Sequence, residues 1–360
     1  MSTLAAGGGW TQEERRRIAG ILVAVAGLHV TGWVAFLAYA SDLPAGSAFA
    51  GAGTLAYVLG VRHAFDADHI AAIDDTTRLM VQRGRRPVGV GFFFAMGHSS
   101  VVFLLAAVVA LVAGSVSAAS VESFRHVGAL VSALVAMSFL LLVAGLNAVV
   151  LRGLTRVWSQ ARRGEVDQDQ IDVLLVNRGL LNRVLGGRAR SLIRSSWHMF
   201  PLGFLFGLGL ETASEVTLLA LSASTAVTEE LPLVATLCLP VLFAAGMSAF
   251  DTCDGLLMTR AYSWSQRHPL RRLYYNIATT AMTIVIAGFV ASVYLADLAA
   301  RQPVLRWLSP YASLADRFEV VGYLIAAAFV LTWGTAALSW RLGGFDRESD
   351  RSDQPARQPG

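Results

Sequence analysis

Eight stretches of apolar residues divide the chain: Ile18–Ala40, Ala48–Ile73, Val88–Gly114, Val127–Leu151, His198–Ser222, Leu233–Leu257, Tyr274–Ala296 and Val320–Trp340. An α-helix rises 1.5 Å per residue, so roughly 20 apolar residues reach across the hydrocarbon of a bilayer. The pattern predicts an all-α polytopic membrane protein with about eight transmembrane helices. Ionisable residues interrupt the second and sixth stretches, yet both are needed to preserve the alternation of arginines between loops. Arg15–Arg17, the four arginines from Arg78 to Arg86, nine from Arg152 to Arg194, four from Arg260 to Arg272 and four from Arg341 to Arg357 fall on one side. The other side has only Arg125, Arg301, Arg306 and Arg317, and Arg62 lies inside a span. By the positive-inside rule both termini are cytoplasmic, which requires an even number of spans.

This divides the chain into a cytoplasmic N-terminal segment (1–17), an eight-span domain (18–341) with a cytoplasmic loop at 152–196, and a charged, disordered cytoplasmic tail (342–360). Within the loop, Ile171, Leu174, Leu175, Leu181, Val184 and Leu185 recur at helical spacing. They predict either a short amphipathic helix on the membrane surface or a partly ordered linker. A short repeat also appears: Ala64-Phe65-Asp66 recurs as Ala249-Phe250-Asp251.

Composition agrees with a bilayer as solvent. Hydrophobic residues make up 55% of the 360 and charged ones only 15%, too few for a water-soluble surface. The net charge of +4 is carried by basic residues scattered between apolar runs, which argues against a nucleic-acid partner. All 29 basic residues are arginines. With no lysine there is no nucleotide-binding Gly-x-x-x-x-Gly-Lys-Ser/Thr loop, so ATP drive through such a loop in this chain is excluded and no ATPase subunit is called for. Cys238 and Cys253 lie in apolar stretches and predict no disulfide framework. The first apolar stretch has spanning length and no compelling cleavage site, so it reads as a span and not a signal peptide. The expected location is a bacterial-type cytoplasmic (inner) membrane, crossed several times.

Ionisable groups at membrane depth cost roughly 2.5–3.5 kcal/mol each and therefore need a role. The second stretch carries Arg62-His63-Ala64-Phe65-Asp66-Ala67-Asp68-His69. On one continuous helix His63, Asp66 and His69 share an arc of about 120°. Two imidazoles and a carboxylate suit nickel, cobalt, zinc, copper or iron and do not suit calcium. Asp68 falls on the opposite side and joins them only if the helix is locally unwound; otherwise it orients a ligand from outside the site. Asp74, Asp75 and Arg78 read as a charge-paired helix end just outside the bilayer. His98 in the third stretch and His29 in the first are single imidazoles, ordinary core residues unless other spans bring a site to them. Glu211 and Glu215 share a face in the fifth stretch, as do Asp251 and Asp254 in the sixth, and neither stretch holds an arginine or lysine. Protonation, a water-filled vestibule or a bound cation answers such a concentration of acid.

These residues carry a resemblance to the nickel/cobalt transporters of the NiCoT family, within the NicO group. Arg62 through Ile70 is similar to that family's second-span signature throughout. Gly97-His98-Ser99-Ser100-Val101-Val102 resembles its third-span motif, Leu208 through Glu215 its fifth, and Gly246 through Gly255 its sixth. The chain departs from the pattern at Leu210-Glu211, where Phe-Asp is usual, and at Cys253, where threonine is usual. The resemblance implies a secondary transporter, or permease, that takes Ni2+ or Co2+ inward as substrate, with no cofactor and no enzymatic activity. Its metal set would be His63, Asp66, Asp68, His69, His98, Glu211, Glu215, Asp251 and Asp254. His29 and Phe65 would tune selectivity, in the pairing of members that accept both ions. The alternatives are an efflux protein using the same site and an intramembrane metallohydrolase. The first is disfavoured because the 152–196 loop lacks histidine. The second is disfavoured because the histidines are six apart with no glutamate between them.

Overall fold

The computed structural model describes residues 10–41, 43, 47–82, 84–112, 118–163, 195–208, 215, 217–218, 221–222, 232–264 and 269–342, and the regular elements among them are all helical. The helices are α1 (Gln12–Ala40), α2 (Ala48–His63), α3 (Ala67–Gln82), α4 (Val90–Val112), α5 (Ala118–Arg162), α6 (Met199–Gly207), α7 (Leu233–Trp264), α8 (Pro269–Ala300), the single turn α9 (Ser309–Ala312) and α10 (Phe318–Leu342). Five are long and apolar enough to cross a membrane, over Gln12–Ala40, Val90–Val108, Val127–Gln160, Leu233–Tyr262 and Asn276–Ala300. These match the first, third, fourth, sixth and seventh predicted stretches. The last stretch contributes a shorter apolar segment, Val320–Leu331. Of the fifth, α6 and isolated helical residues out to Ser222 are described. The predicted surface helix at 171–185 and the tail from 343 lie outside the described residues.

Local chemistry explains several boundaries. The Thr11 hydroxyl accepts from the Glu14 N–H at 3.2 Å and the Glu14 carboxylate accepts from the Thr11 N–H at 2.8 Å, a reciprocal cap that starts α1 six residues before its apolar run. Ser47 caps α2 in the same sense, accepting from the Ala50 N–H.

The second predicted stretch is not one helix. It is two helices of 16 residues each, neither long enough to span alone. The Phe65 N–H bonds to the Arg62 carbonyl and the Asp66 N–H to the His63 carbonyl. This tightened turn ends α2, and α3 starts afresh with Ile70 N–H on Asp66 O. The helical-wheel angles of a continuous helix therefore do not apply across residues 64–66.

Two apolar clusters meet in the middle of the bundle. One joins α3, α4, α5, α6, α8 and α10 through residues such as Ile73, Phe94, Leu140, Phe206 and Val290. The other joins α1, α2, α4 and α7 through Phe36, Phe49, Val102, Leu239 and Phe243. The α7 span is 67% buried against 22% for α1, which makes α7 the central element and α1 peripheral. Outward faces are apolar as well, with Val23, Val30 and Val34 on α1, Leu141 and Leu142 on α5, and Leu324, Val330 and Leu331 on α10 all exposed. A lipid surround accepts such faces, whereas water would not.

Close backbone approach between α4 and α6 depends on two glycines. A Cβ at Gly97 would strike the Phe200 carbonyl, and one at Gly203 the Phe94 carbonyl. The neighbours are rigid backbone, so the helices would have to separate. Gly97→Val is expected to destabilise the folded protein by about 1–3 kcal/mol, the usual range for overpacking, seen as a lower thermal midpoint in detergent, whereas Gly27→Ala on α1, where a Cβ meets open space, is expected to leave it unchanged.

Candidate metal centre

The turn between α2 and α3 brings His63, the last residue of one helix, beside His69, in the first turn of the next. Their ring centroids lie 4.7 Å apart. The close α4–α6 packing sets His98 against both, again at 4.7 Å from each ring. One ring nitrogen from each of the three lies within 4.8 Å of the others. Glu215 and Asp251 complete the group. With Asp66, these six side chains are at most 4% exposed. Phe243 stands 5.5 Å from the His63 ring and Phe94 4.8 Å from the His69 ring, which forms apolar walls.

Carboxylates stand beside two of the rings. His63 Nδ1 lies 2.9 Å from Asp66 Oδ2, and His69 Nδ1 lies 3.3 Å from Asp251 Oδ2. Where a neutral imidazole faces an ionised carboxylate in this way, the proton sits on Nδ1 and Nε2 is left to meet a ligand. His69 Nε2 has no hydrogen-bond partner among the described residues. His63 Nε2, His98 Nε2 and Glu215 Oε1 form a triangle with edges of 2.9, 2.8 and 3.9 Å. A ring nitrogen holds at most one proton, so His98 Nε2 can donate to His63 or to Glu215 but cannot fully serve both. A cation serves all three. With metal–nitrogen bonds of 2.0–2.1 Å, tetrahedral donors stand about 3.4 Å apart, and the observed edges bracket that value. The donor set of imidazoles with one carboxylate suits a borderline transition metal.

Other candidate residues lie elsewhere. Asp68 is engaged outside this cluster: its Oδ1 accepts from the His69 N–H at 2.9 Å and its Oδ2 from the Tyr294 hydroxyl at 2.7 Å. Asp254, one turn beyond Asp251 on α7, is partly buried near Asp74. Glu211 lies outside the described residues. His29 sits apart, donating from Nδ1 to the Val25 carbonyl at 2.8 Å, with Nε2 3.3 Å from the Tyr57 hydroxyl. Phe65 is wedged between Phe250 and Tyr323, with ring centroids at 5.5 and 5.0 Å. The two Ala-Phe-Asp repeats thus meet at their phenylalanines.

Asp74, Asp75 and Arg78 lie together on α3 but are not an exposed helix end, since each is only 1% exposed. Arg78 donates to the Asn276 carbonyl at 2.9 Å and to the Thr280 hydroxyl, and its guanidinium lies over the Tyr262 ring. Tyr262 donates to Asp74, and Asn147 Nδ2 donates to Asp75 at 3.3 Å. This network ties α3 to α5, α7 and α8. Sequence reasoning missed its partners, although a lone asparagine in the Val127–Leu151 run was a usable signal, being costly in lipid without a bond.

Residues 49–339 match the family model described as NicO, high-affinity nickel-transport protein. The chain is 57% identical over 332 residues to the cobalt transport protein NhlF of Rhodococcus rhodochrous, covering 92% of this chain and 94% of that one. It is 44% identical to the nickel transporter NicT of Mycobacterium tuberculosis, over 92% of this chain and 91% of that one. It is 39% identical to the high-affinity nickel-transport protein NixA of Helicobacter pylori, over 89% and 96%. No solved structure matches.

Removing Arg78 takes the positive charge away from two buried acids, Asp74 and Asp75. Arg78→Met is expected to cost about 3–5 kcal/mol, the range for breaking a buried pair from one side. Arg301→Met, which removes an exposed partner of Asp297, is expected to cost about 0–1 kcal/mol. Thermal unfolding of the two purified variants in detergent measures the contrast.

Proposed function

Since the chain belongs to the NicO family of high-affinity nickel-transport proteins, we propose that it is a permease that moves Ni2+ and Co2+ inward across a bacterial cytoplasmic membrane. The observation that carries this reading is the buried meeting of His63, His69, His98 and Glu215. In the proposed site, Nε2 of each imidazole and Oε1 of Glu215 replace water around the ion. Asp66 and Asp251 hold His63 and His69 in the tautomer that offers Nε2. Asp254, one turn along α7 from Asp251, extends the acidic path beyond the centre, and Glu211 belongs to the same path by its place in the fifth-stretch motif. His29 and Phe65 act on selectivity from outside it, through Tyr57 and through the packing of the α2–α3 turn. The names of the relatives span cobalt and nickel, and the donor set suits both.

The reading includes eight spans with both termini cytoplasmic. It is supported by where the arginine-rich ends meet. Arg86, after α3, pairs with Glu14 at 3.2 Å and stacks on Trp10, next to the N-terminal Arg15–Arg17. Trp158, near the end of α5, packs on Tyr274, near the start of α8. An inside-negative potential of 100 mV favours inward movement of a divalent ion by roughly 4.6 kcal/mol, twice the single-charge value.

His63→Ala is expected to abolish saturable uptake of radioactive Ni2+ and Co2+ into cells or proteoliposomes, and wild-type uptake by that variant overturns the assignment. Metal binding displaces protons from imidazoles, so affinity is expected to fall as pH drops, by roughly tenfold per unit for each proton displaced. Binding titrations of the purified protein from pH 7.5 to 5.5 measure this.

A further inference from the structure

The chain break at 64–66 gives the centre its shape. Had α2 continued into α3, His63 and His69 would lie six residues apart along one helix, about 9 Å in rise. The turn instead brings their rings to 4.7 Å. A tight turn between two helices carries little stability of its own, so its geometry must be held from outside. Gly322 of α10 lies against the Phe65 carbonyl, where any Cβ would collide. Phe65 is held between Phe250 and Tyr323. The remaining side is held by α8, through Tyr294.

Tyr294 is buried, with its ring edge-to-face against Phe318 at 5.2 Å. Its hydroxyl donates to Asp68 Oδ2 at 2.7 Å, while Asp68 Oδ1 accepts from the His69 N–H. Asp68 lies in the first turn of α3, where a negative charge meets the positive helix end. Adjacent residues on a helix diverge by 100°, so with His69 turned into the centre, Asp68 projects to a different side.

We propose that Asp68 is not a metal ligand but a strut: with Tyr294 it anchors the first turn of α3 to α8 and so sets where His69 stands relative to His63 and His98. Tyr294 is then a positioning residue for the transport site. The proposal rests on the three-imidazole centre being the metal site. It separates Asp68 from Asp66 and Asp251, whose carboxylates meet the imidazole rings directly. Loss of the strut leaves every donor in place and loosens their arrangement, so the ligand set is kept while affinity falls.

The test uses the full-length protein, purified in detergent and loaded with Co2+, whose visible absorption reports its ligands. Tyr294→Phe keeps the ring on Phe318 and removes only the hydroxyl. Asp68→Asn keeps an oxygen acceptor. Asp68→Ala removes both bonds. The expected result is that Tyr294→Phe and Asp68→Ala each weaken Co2+ binding about 10- to 100-fold, the range for partners of metal ligands, with absorption bands at wild-type positions. The double variant is expected to be no weaker than Asp68→Ala alone, and Asp68→Asn to recover most of the affinity. If Asp68→Asn moves the cobalt bands, or binds as weakly as Asp68→Ala while Tyr294→Phe binds like wild type, Asp68 is a ligand and the strut is wrong. Additive losses in the double variant also overturn it. Where Asp68→Ala does not fold, Asp68→Asn and Tyr294→Phe carry the same decision. His63→Ala runs beside them: unchanged Co2+ affinity and bands in that variant overturn the three-imidazole site itself, an outcome distinct from any behaviour of Asp68.

Discussion

Six ionisable side chains packed among apolar helices can persist only if their charges and lone pairs are answered inside the protein. Desolvation of an unpaired charge costs several kcal/mol, and no bulk water is present to offset it. His63 and His69 meet carboxylates at Nδ1, and His98 Nε2 stands between His63 Nε2 and Glu215 Oε1. In the proposed function a cation is what these groups share. The break after α2, the glycine contacts of α4 with α6 and the bracing by α8 and α10 all bring these side chains together.

The polar residues continue beyond the centre along two facing helices. On α3 they run from His69 to Asp74, Asp75 and Arg78, and on α7 from Asp251 to Asp254 and Tyr262. The two groups differ in kind. The centre is built of imidazoles and carboxylates, while the second group contains a guanidinium, Arg78, together with neutral donors from Tyr262 and Asn147 and the Thr280 hydroxyl as acceptor.

Asp66, Asp68 and Asp251 show how similar carboxylates take different roles by position. Asp66 and Asp251 reach ring nitrogens, whereas Asp68, one residue from His69, is turned toward a tyrosine on another helix. Spacing within a motif says which residues stand together along the chain. It does not say which way each side chain turns once the helix has been interrupted.

The amino-acid sequence alone determined the helical, membrane-embedded character of the chain, the family and the residues of the centre's motifs, because lipid demands continuous apolar runs and a buried transition-metal site demands imidazole and carboxylate. Five of the predicted stretches could be read in this way because their apolar length exceeds the bilayer core. Tertiary structure alone decided that the second stretch is two helices, that His98 joins His63 while His29 does not, that Asp68 pairs with Tyr294, and that Asp74, Asp75 and Arg78 are interior. Each depends on contacts between residues far apart in the chain, such as Arg78 with Thr280 or Asp68 with Tyr294. Local periodicity is blind to these contacts, because the free energy of a buried polar group is settled by its partner, and the partner lies on another helix.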